Sequence, residues 1–361
     1  WEIIYQEVQQ SEMTVLLSTA YLDEAERCDE VILLHEGKLI KQDKPQQFSD
    51  DVAGRVFQIT ATGQRYRTLQ AELSLAPGIL DALVESETVR VVMTTATTPQ
   101  ANIILPNYSN VTISPVTPHF EDAFVAMLKT KSTQKPQQIA AVRKTELNDN
   151  VNVIQVKDLS RQFGDFIAVN NISFNVKQGE IFGLLGANGA GKSTTFRMLC
   201  GLLPVSSGQL TIAGKDLHIA SASARGRIGY MAQKFSLYSH LSVQQNLQFF
   251  SSVYGLRNHL QKERIEWALS TFELKSYRNN NAGELPLGFK QRLSFATALM
   301  HEPDVLFLDE PTSGVDPLAR REFWDRTNML AENGVTILVT THFMEEANYC
   351  DRLVIMEGGE I

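Results

Sequence analysis

Cysteine is scarce in this sequence: three residues in 361, Cys28, Cys200 and Cys350, widely spaced and with no C-x-x-C pair. An odd, scattered set argues against a disulfide framework and a thiolate zinc site, and fits buried thiols in a reducing cytosol. Long apolar runs are missing as well. None approaches the roughly 20 residues that cross a bilayer, and the best, 181–187, reads as a short strand. A membrane role would therefore need another chain to supply the span. No leader pattern is expected either, since the chain opens Trp-Glu-Ile-Ile rather than with Met and a basic stretch. Positive charge is in short supply: 33 Lys and Arg face 41 Asp and Glu, for a net charge of −8. Such a chain lacks the general basic surface that displaces counterions from nucleic acid, so no nucleic-acid partner is expected. What remains is the composition of a globular protein long enough for two or three domains.

An internal repeat organises those domains. Residues 14–39 align without gaps on 336–361, with eight of 26 positions identical, among them Thr19/Thr341, Glu24/Glu346, Ala25/Ala347, Cys28/Cys350, Asp29/Asp351 and Gly37/Gly359. Each copy reads as a β-branched strand, an acidic helix start, a second strand and a glycine turn. The expectation is an interior piece of a longer tandem protein, with residues 1–42 ending a first domain and 151–361 forming most of a second. Between them, 56–60 and 89–95 gather β-branched residues as strands do. Segments 66–75 and 120–128 have helical apolar spacing. Residues 43–131 are thus expected to form a small α+β accessory domain. Residues 132–150, polar and rich in Gln and Lys around Pro136, read as a flexible linker. The short basic clusters Lys129-Thr130-Lys131 and Arg143-Lys144 read as solvated charge.

The strand-like run Ile181-Phe182-Gly183-Leu184-Leu185 leads into Gly186-Ala187-Asn188-Gly189-Ala190-Gly191-Lys192-Ser193-Thr194, which fits the template G-x-x-x-x-G-K-[ST]. The chemistry demands those residue types. Glycines let successive backbone N–H groups converge on phosphate oxygens with no Cβ in the way. A helix from Thr194 onward would offer the positive end of its dipole to the β-phosphate. Lys192 is expected to reach the β- and γ-phosphates of ATP, and Ser193 to ligate Mg²⁺. Downstream, Val305-Leu306-Phe307-Leu308 is an apolar strand ending in Asp309 and Glu310. Asp309 is placed to hold Mg²⁺, directly or through water, and Glu310 to polarise the attacking water. Adjacent acids after a strand are ordinary alone. With a phosphate loop upstream they specify a nucleotide hydrolase.

In this order and spacing the segments resemble the nucleotide-binding domains of ABC transporters, over 151–361 and again over the first 40 residues. The resemblance implies an α/β, P-loop NTPase fold: a RecA-like core with helical and antiparallel β subdomains. It also implies roles for further positions. Gln233 falls where the family's Q-loop glutamine senses Mg²⁺ and the membrane partner, Ser313-Gly314-Val315-Asp316 where the D-loop lies, and His342 where the switch histidine contacts the γ-phosphate. Phe163 lies where an aromatic stacks on adenine. The tandem layout and the intervening domain resemble the ATP-binding subunits of bacterial ABC-2-type exporters linked to drug and cation efflux. The implied ligands are ATP and Mg²⁺. The implied partners are integral-membrane ABC-2-type permease subunits and the other nucleotide-binding domain of the same polypeptide, working at the cytoplasmic face of the inner membrane. A rival reading is a soluble tandem ABC ATPase acting on ribosomes or DNA. Such proteins use a long charged helical linker and basic surface, whereas this connector has strand-like segments and the chain is acidic.

Two positions depart from the family pattern. Where the signature Leu-Ser-Gly-Gly-Gln is expected, the sequence has Leu285-Pro286-Leu287-Gly288-Phe289. Pro286 has neither hydroxyl nor backbone N–H, and Leu287 puts bulk where a glycine lets the backbone approach nucleotide. In the first copy the position matching His342 is Ala20, which cannot hydrogen-bond a phosphate. In the family two domains close head to tail, each ATP lying between one domain's phosphate loop and the other's signature. Both departures then fall on one composite site, and the expectation is one degenerate and one hydrolytic site. His240, His259 and His301 lack metal-ligand spacing. The aromatic stretch 233–254, with Phe235, Leu237, Tyr238, Leu241, Phe249 and Phe250, reads mostly as core of a helical subdomain. By resemblance its exposed members face a membrane subunit.

Overall fold

The computed structural model describes residues 1–11, 13–35, 37–85, 87–129, 151–216 and 226–361. The linker expected at 132–150 lies outside the described residues. Val305–Asp309 and Thr336–Thr341 are buried at every position, as are the first five residues of Ile181–Gly186. Strands with no exposed face belong in a parallel sheet covered on both sides. They form one, in the order Ile228–Met231, Val305–Asp309, Thr336–Thr341, Ile181–Gly186, Arg352–Met356, every neighbour parallel. All five C-terminal ends therefore lie along one edge, where α/β folds place ligands.

Side chains alternate between two cores, as the strand period of two requires. Leu306, Leu308, Ile337 and Val339 face a helical core built with Val243–Val253, Asn258–Thr271, Leu287–Leu299 and Pro317–Glu332 around Trp324 and Phe295. Val305, Phe307 and Leu338 face Lys192–Leu199 and a second, antiparallel sheet. That sheet runs Lys215–Asp216, Ser207–Ile212, Asn152–Phe163, Phe166–Lys177. This is the P-loop NTPase architecture expected.

The region between the repeats holds a four-stranded antiparallel sheet in the order Ile79–Glu85, Thr88–Met93, Val56–Ala61, Val111–Pro115. Helix Tyr66–Leu73 covers the face of Phe57, Ile59, Val89 and Val91 through Leu69 and Leu73. Helix Phe120–Lys129 covers the face of Val56 and Val92, joined there by Phe48, Ala25 and Leu33. Lys129 is not solvated charge: it ends that helix and pairs with Asp81 at 2.6 Å.

One expected element is absent. Residues 14–18 form no strand, although their counterparts in Thr336–Thr341 form a central one. The reason is pairing. Thr336–Thr341 is bonded on both edges, whereas 14–18 have no partner strand among the described residues. Leu338 is fully buried and its counterpart Leu16 is 93% exposed. After it, Val31–His35 and Lys38–Asp43 make a hairpin about Gly37.

Candidate nucleotide site

The phosphate-loop template sits between the strand Ile181–Gly186 and the helix Lys192–Leu199, which starts two residues earlier than the sequence suggested. Its glycines are needed for different reasons. At Gly186 a Cβ would come within 2.3 Å of the Met356 carbonyl, and at Gly191, in the left-handed region at φ 101°, within 2.7 Å of the Ala168 carbonyl. Gly189, also left-handed, faces open space, and Ala187 and Asn188 beside it are exposed. The loop is thus clamped from behind and open in front. Lys192 is buried, and its Nζ donates to the carbonyls of Gly186 (2.6 Å) and Ala187 (3.0 Å). A cation held only by loop carbonyls is set for an anion to replace them. Ser193 is exposed in the first helical turn.

Asp309 and Glu310 stand at the end of Val305–Asp309, separated from the phosphate-loop strand by Thr336–Thr341, and both are buried. Burial pushes the Asp309 carboxyl above its usual range, the Thr340 hydroxyl opposes that by donating to Oδ1 at 2.6 Å, and the Glu310 charge adds to it. Glu310 adopts φ +46°, rare for a residue with a side chain. Its N–H, donating to the carbonyl of Thr340 at 3.0 Å and to its hydroxyl at 3.2 Å, helps hold that turn. The turn brings Oε2 to Gln233 Nε2 at 2.6 Å and His342 Nδ1 at 3.2 Å. Three residues from separate strand ends therefore meet on one carboxylate oxygen.

Other expected positions lie apart from that oxygen. Phe163 is at the tip of the hairpin with Phe166, 44% exposed, with the Arg161 guanidinium 4.4 Å from its ring centroid. Pro286 is the N-cap of Leu287–Leu299 and leaves the helix start without a side-chain cap. Leu285 is buried, Leu287 is exposed, and Phe289 packs on Tyr277 at 4.4 Å. Leu287 reaches the segment after Glu310, its Cδ2 3.5 Å from where a Cβ on Gly314 would stand. Ala20 precedes Tyr21, whose ring is 5.5 Å from Phe343, the residue after His342. The same turn occurs in both copies: Tyr21 N donates to Thr19 Oγ1 and Phe343 N to Thr341 Oγ1, each at 2.9 Å. His301 stacks on Tyr254, and burial pushes its ring down to about 4.

Two residues carry weight that the sequence did not suggest. Thr340 bonds both acids. Buried Glu346 accepts the hydroxyl of Thr312, two residues past Glu310. The identity Glu24/Glu346 in the repeat was the one available signal for it. Glu24 also accepts a threonine hydroxyl, that of Thr19 at 2.5 Å.

A phosphate-type loop and a strand-end acid pair on a parallel sheet define a P-loop nucleoside triphosphatase. The ABC transporter family profile matches residues 169–313. The chain is 47% identical over all 361 residues to "Probable multidrug ABC transporter ATP-binding protein YbhF" of Escherichia coli (strain K12), and spans 62% of that protein's length. It is 42% identical over 211 residues to "Nod factor export ATP-binding protein I" of Burkholderia orbicola (strain AU 1054), which covers 58% of this chain and 69% of that protein. A solved "ATP binding subunit of ABC transporter" is 31% identical with a TM-score of 0.54, covering 58% of this chain and 88% of its own. The cbiO1 subunit from Clostridium perfringens, part of the ABC transporter complex cbiONQ, is 32% identical with a TM-score of 0.53, covering 58% and 86%. The chain belongs to the ABC transporter family of ATP-binding proteins.

Proposed function

We propose that this chain is part of the ATP-hydrolysing motor subunit of a bacterial ABC-type exporter, driving a separate membrane permease. The observation that carries this reading is the meeting of Gln233 and His342 on Glu310 Oε2, beside the open phosphate loop. The triphosphate of ATP takes the place of the Gly186 and Ala187 carbonyls on Lys192, with the backbone N–H groups of Gly186 to Thr194 around it. Ser193, Gln233 and Asp309 are the oxygen donors for Mg²⁺. A buried carboxyl raised by burial next to a second acid is a set that a hard dication satisfies. Bound there, Mg²⁺ would supply positive charge against the phosphates. Glu310 takes up the proton of the attacking water, His342 hydrogen-bonds the γ-phosphate, and Phe163 stacks on adenine.

The reading extends to the longer protein. Residues 1–42 close a first nucleotide-binding domain, 43–131 form an accessory domain, 132–150 link, and 151–361 belong to the second. Head-to-tail closure puts Ala20 and the signature Leu285 to Phe289 at one degenerate site. The hydrolytic site uses Lys192, Asp309, Glu310 and His342. Exposed Tyr238 and Phe249, packed edge-on at 4.9 Å after the Gln233 loop, suit contact with an ABC-2-type permease at the membrane's cytoplasmic face. The multidrug and Nod-factor names of the relatives support export; the permease selects the substrate.

Glu310→Gln in the full-length tandem protein is expected to lower ATP turnover by about 10²–10⁴-fold, the usual cost of losing a general base. Activity remaining above about a tenth would sink the assignment of hydrolysis to this site.

A further inference from the structure

Helix Pro317–Glu332 starts directly after the segment 313–316 and is capped by Asp316, whose Oδ1 accepts the Ala319 N–H at 3.0 Å. Arg321, Asp325, Asn328 and Glu332 recur on it at spacings of four, three and four, so they form one stripe. Polar groups on the accessory unit meet every member of that stripe. Arg321 forms a buried ion pair with Asp81 and a second contact with Glu121 at 3.0 Å. Gln70 Nε2 donates to Asp325 Oδ1 at 2.8 Å, while its Oε1 accepts from Asn328 Nδ2 at 2.8 Å. Thr68 donates to Glu332 Oε2 at 3.2 Å. Arg67 pairs with Asp351 at 2.5 Å, and Asp351 also accepts the N–H of Ile181 at the foot of the phosphate-loop strand.

Two other residues of the helix lead toward the site. Arg320 lies 5.8 Å from the ring of Phe343, whose ring is 4.0 Å from that of His342. Trp324 stacks on Tyr349 at 4.4 Å, in the same short helix that carries Glu346. An apolar contact between the unit and the helix could slide. A ladder of directional bonds cannot, because a shift of one turn leaves several buried donors and acceptors unsatisfied at once.

We propose that the accessory unit is a positioning domain for the hydrolytic site. Through Gln70, Asp81 and Thr68 it fixes helix Pro317–Glu332, and through that helix the segments 310–316 and 342–350. None of these residues touches nucleotide. The inference rests on assigning Glu310 and His342 to the nucleotide site, yet its first test needs no nucleotide. Amide hydrogen exchange is measured on the 361-residue chain. Gln70→Glu places an anion beside Asp325 and removes the donor to it, and is expected to speed exchange at 310–316 and 342–350 by about tenfold, the scale of one lost coupling. The double variant Gln70→Glu/Asp325→Asn again sets a donor opposite an acceptor and is expected to return the rates most of the way. Tyr108→Phe, which loses a bond to Glu72 elsewhere on the unit, is expected to leave them unchanged.

If exchange rises only within 66–73 and along the helix, the accessory unit does not position the site and the proposal is overturned. Should Gln70→Glu unfold the chain, Thr68→Ala asks the same question at the far end of the ladder. In the full-length protein, Gln70→Glu is expected to lower kcat several-fold with the KM for ATP within twofold, because the phosphate loop is untouched. A matched rise in KM would also overturn the proposal. Persistence of turnover in Glu310→Gln would instead remove the functional reading and leave the exchange result standing.

Discussion

Thr340 lies in the middle of the sheet and bonds the ends of the neighbouring strand twice, to the Asp309 carboxylate and to the Glu310 N–H. The first bond is charge-assisted and shielded from water, where such bonds count most. It fixes the Asp309 carboxyl in one orientation, and so the direction in which a cation would be held. Valine has the same shape and suits the strand, but has no hydroxyl. Thr340→Val is therefore expected to keep the fold and lower kcat/KM for Mg-ATP by about tenfold or more, the value of one hydrogen bond to a charged group. Titrating Mg²⁺ at fixed ATP checks it: the variant is expected to need more Mg²⁺ for half-maximal rate. An unchanged Mg²⁺ requirement would show that Asp309 does not depend on this bond.

At the scale of the element, helix Pro317–Glu332 gathers an unbalanced set of charges. Arg321 and Lys129 supply two cations; Asp81, Glu121 and Asp325 supply three anions. Asp325 is an anion that burial disfavours. Burial pushes its carboxyl up to about 6, with Lys129 opposing and the Asp81 charge adding. A carboxyl raised on folding keeps its proton in the native state after the unfolded chain has released it. Stability is then favoured below pH 4 and falls as pH rises from about 4 to about 6, with the full cost present above that. Asp325→Asn still accepts from Gln70 and carries no charge. It is expected to raise Tm at pH 7.5 by about 2–4 °C for each kcal/mol relieved, and to flatten the dependence between pH 4 and 6. Parallel melting curves for the two proteins across that range would refute the assignment.

This helix also marks where the sequence stops being informative. The sheet strands were legible because apolar residues such as Leu306 to Leu308 run without a polar break. The site acids were legible because they follow such a strand. The ladder was not, because Arg67 and Asp351 are 284 residues apart and each looks like surface charge locally. The segment 14–18 misled for the converse reason. Its residues suit a strand, but a strand is made by its neighbours, and none pairs with it among the described residues.

At the scale of the whole molecule, what is absent around the phosphate loop matters as much as what is present. Lys192 bonds the loop's own carbonyls, His342 meets Glu310 at the end of the strand paired with the one that feeds the loop, and Gly189, Ala187 and Asn188 are open to solvent. The segment Leu285 to Phe289 starts the helix Leu287–Leu299, with Pro286 as its N-cap. In the head-to-tail arrangement proposed above, a second nucleotide-binding domain would bring the opposing wall. The isolated chain is thus expected to bind ATP weakly, because only one wall contributes contacts. Its turnover is expected to be low and to stay low as protein concentration rises, because a second copy would oppose the loop with Leu285 to Phe289, in which Pro286 offers neither hydroxyl nor N–H. Measured over a hundredfold range of chain concentration at saturating Mg-ATP, the rate per chain should stay far below that of the full-length protein. A high rate that does not depend on concentration would mean that the loop and its two acids form a complete active site within one cassette.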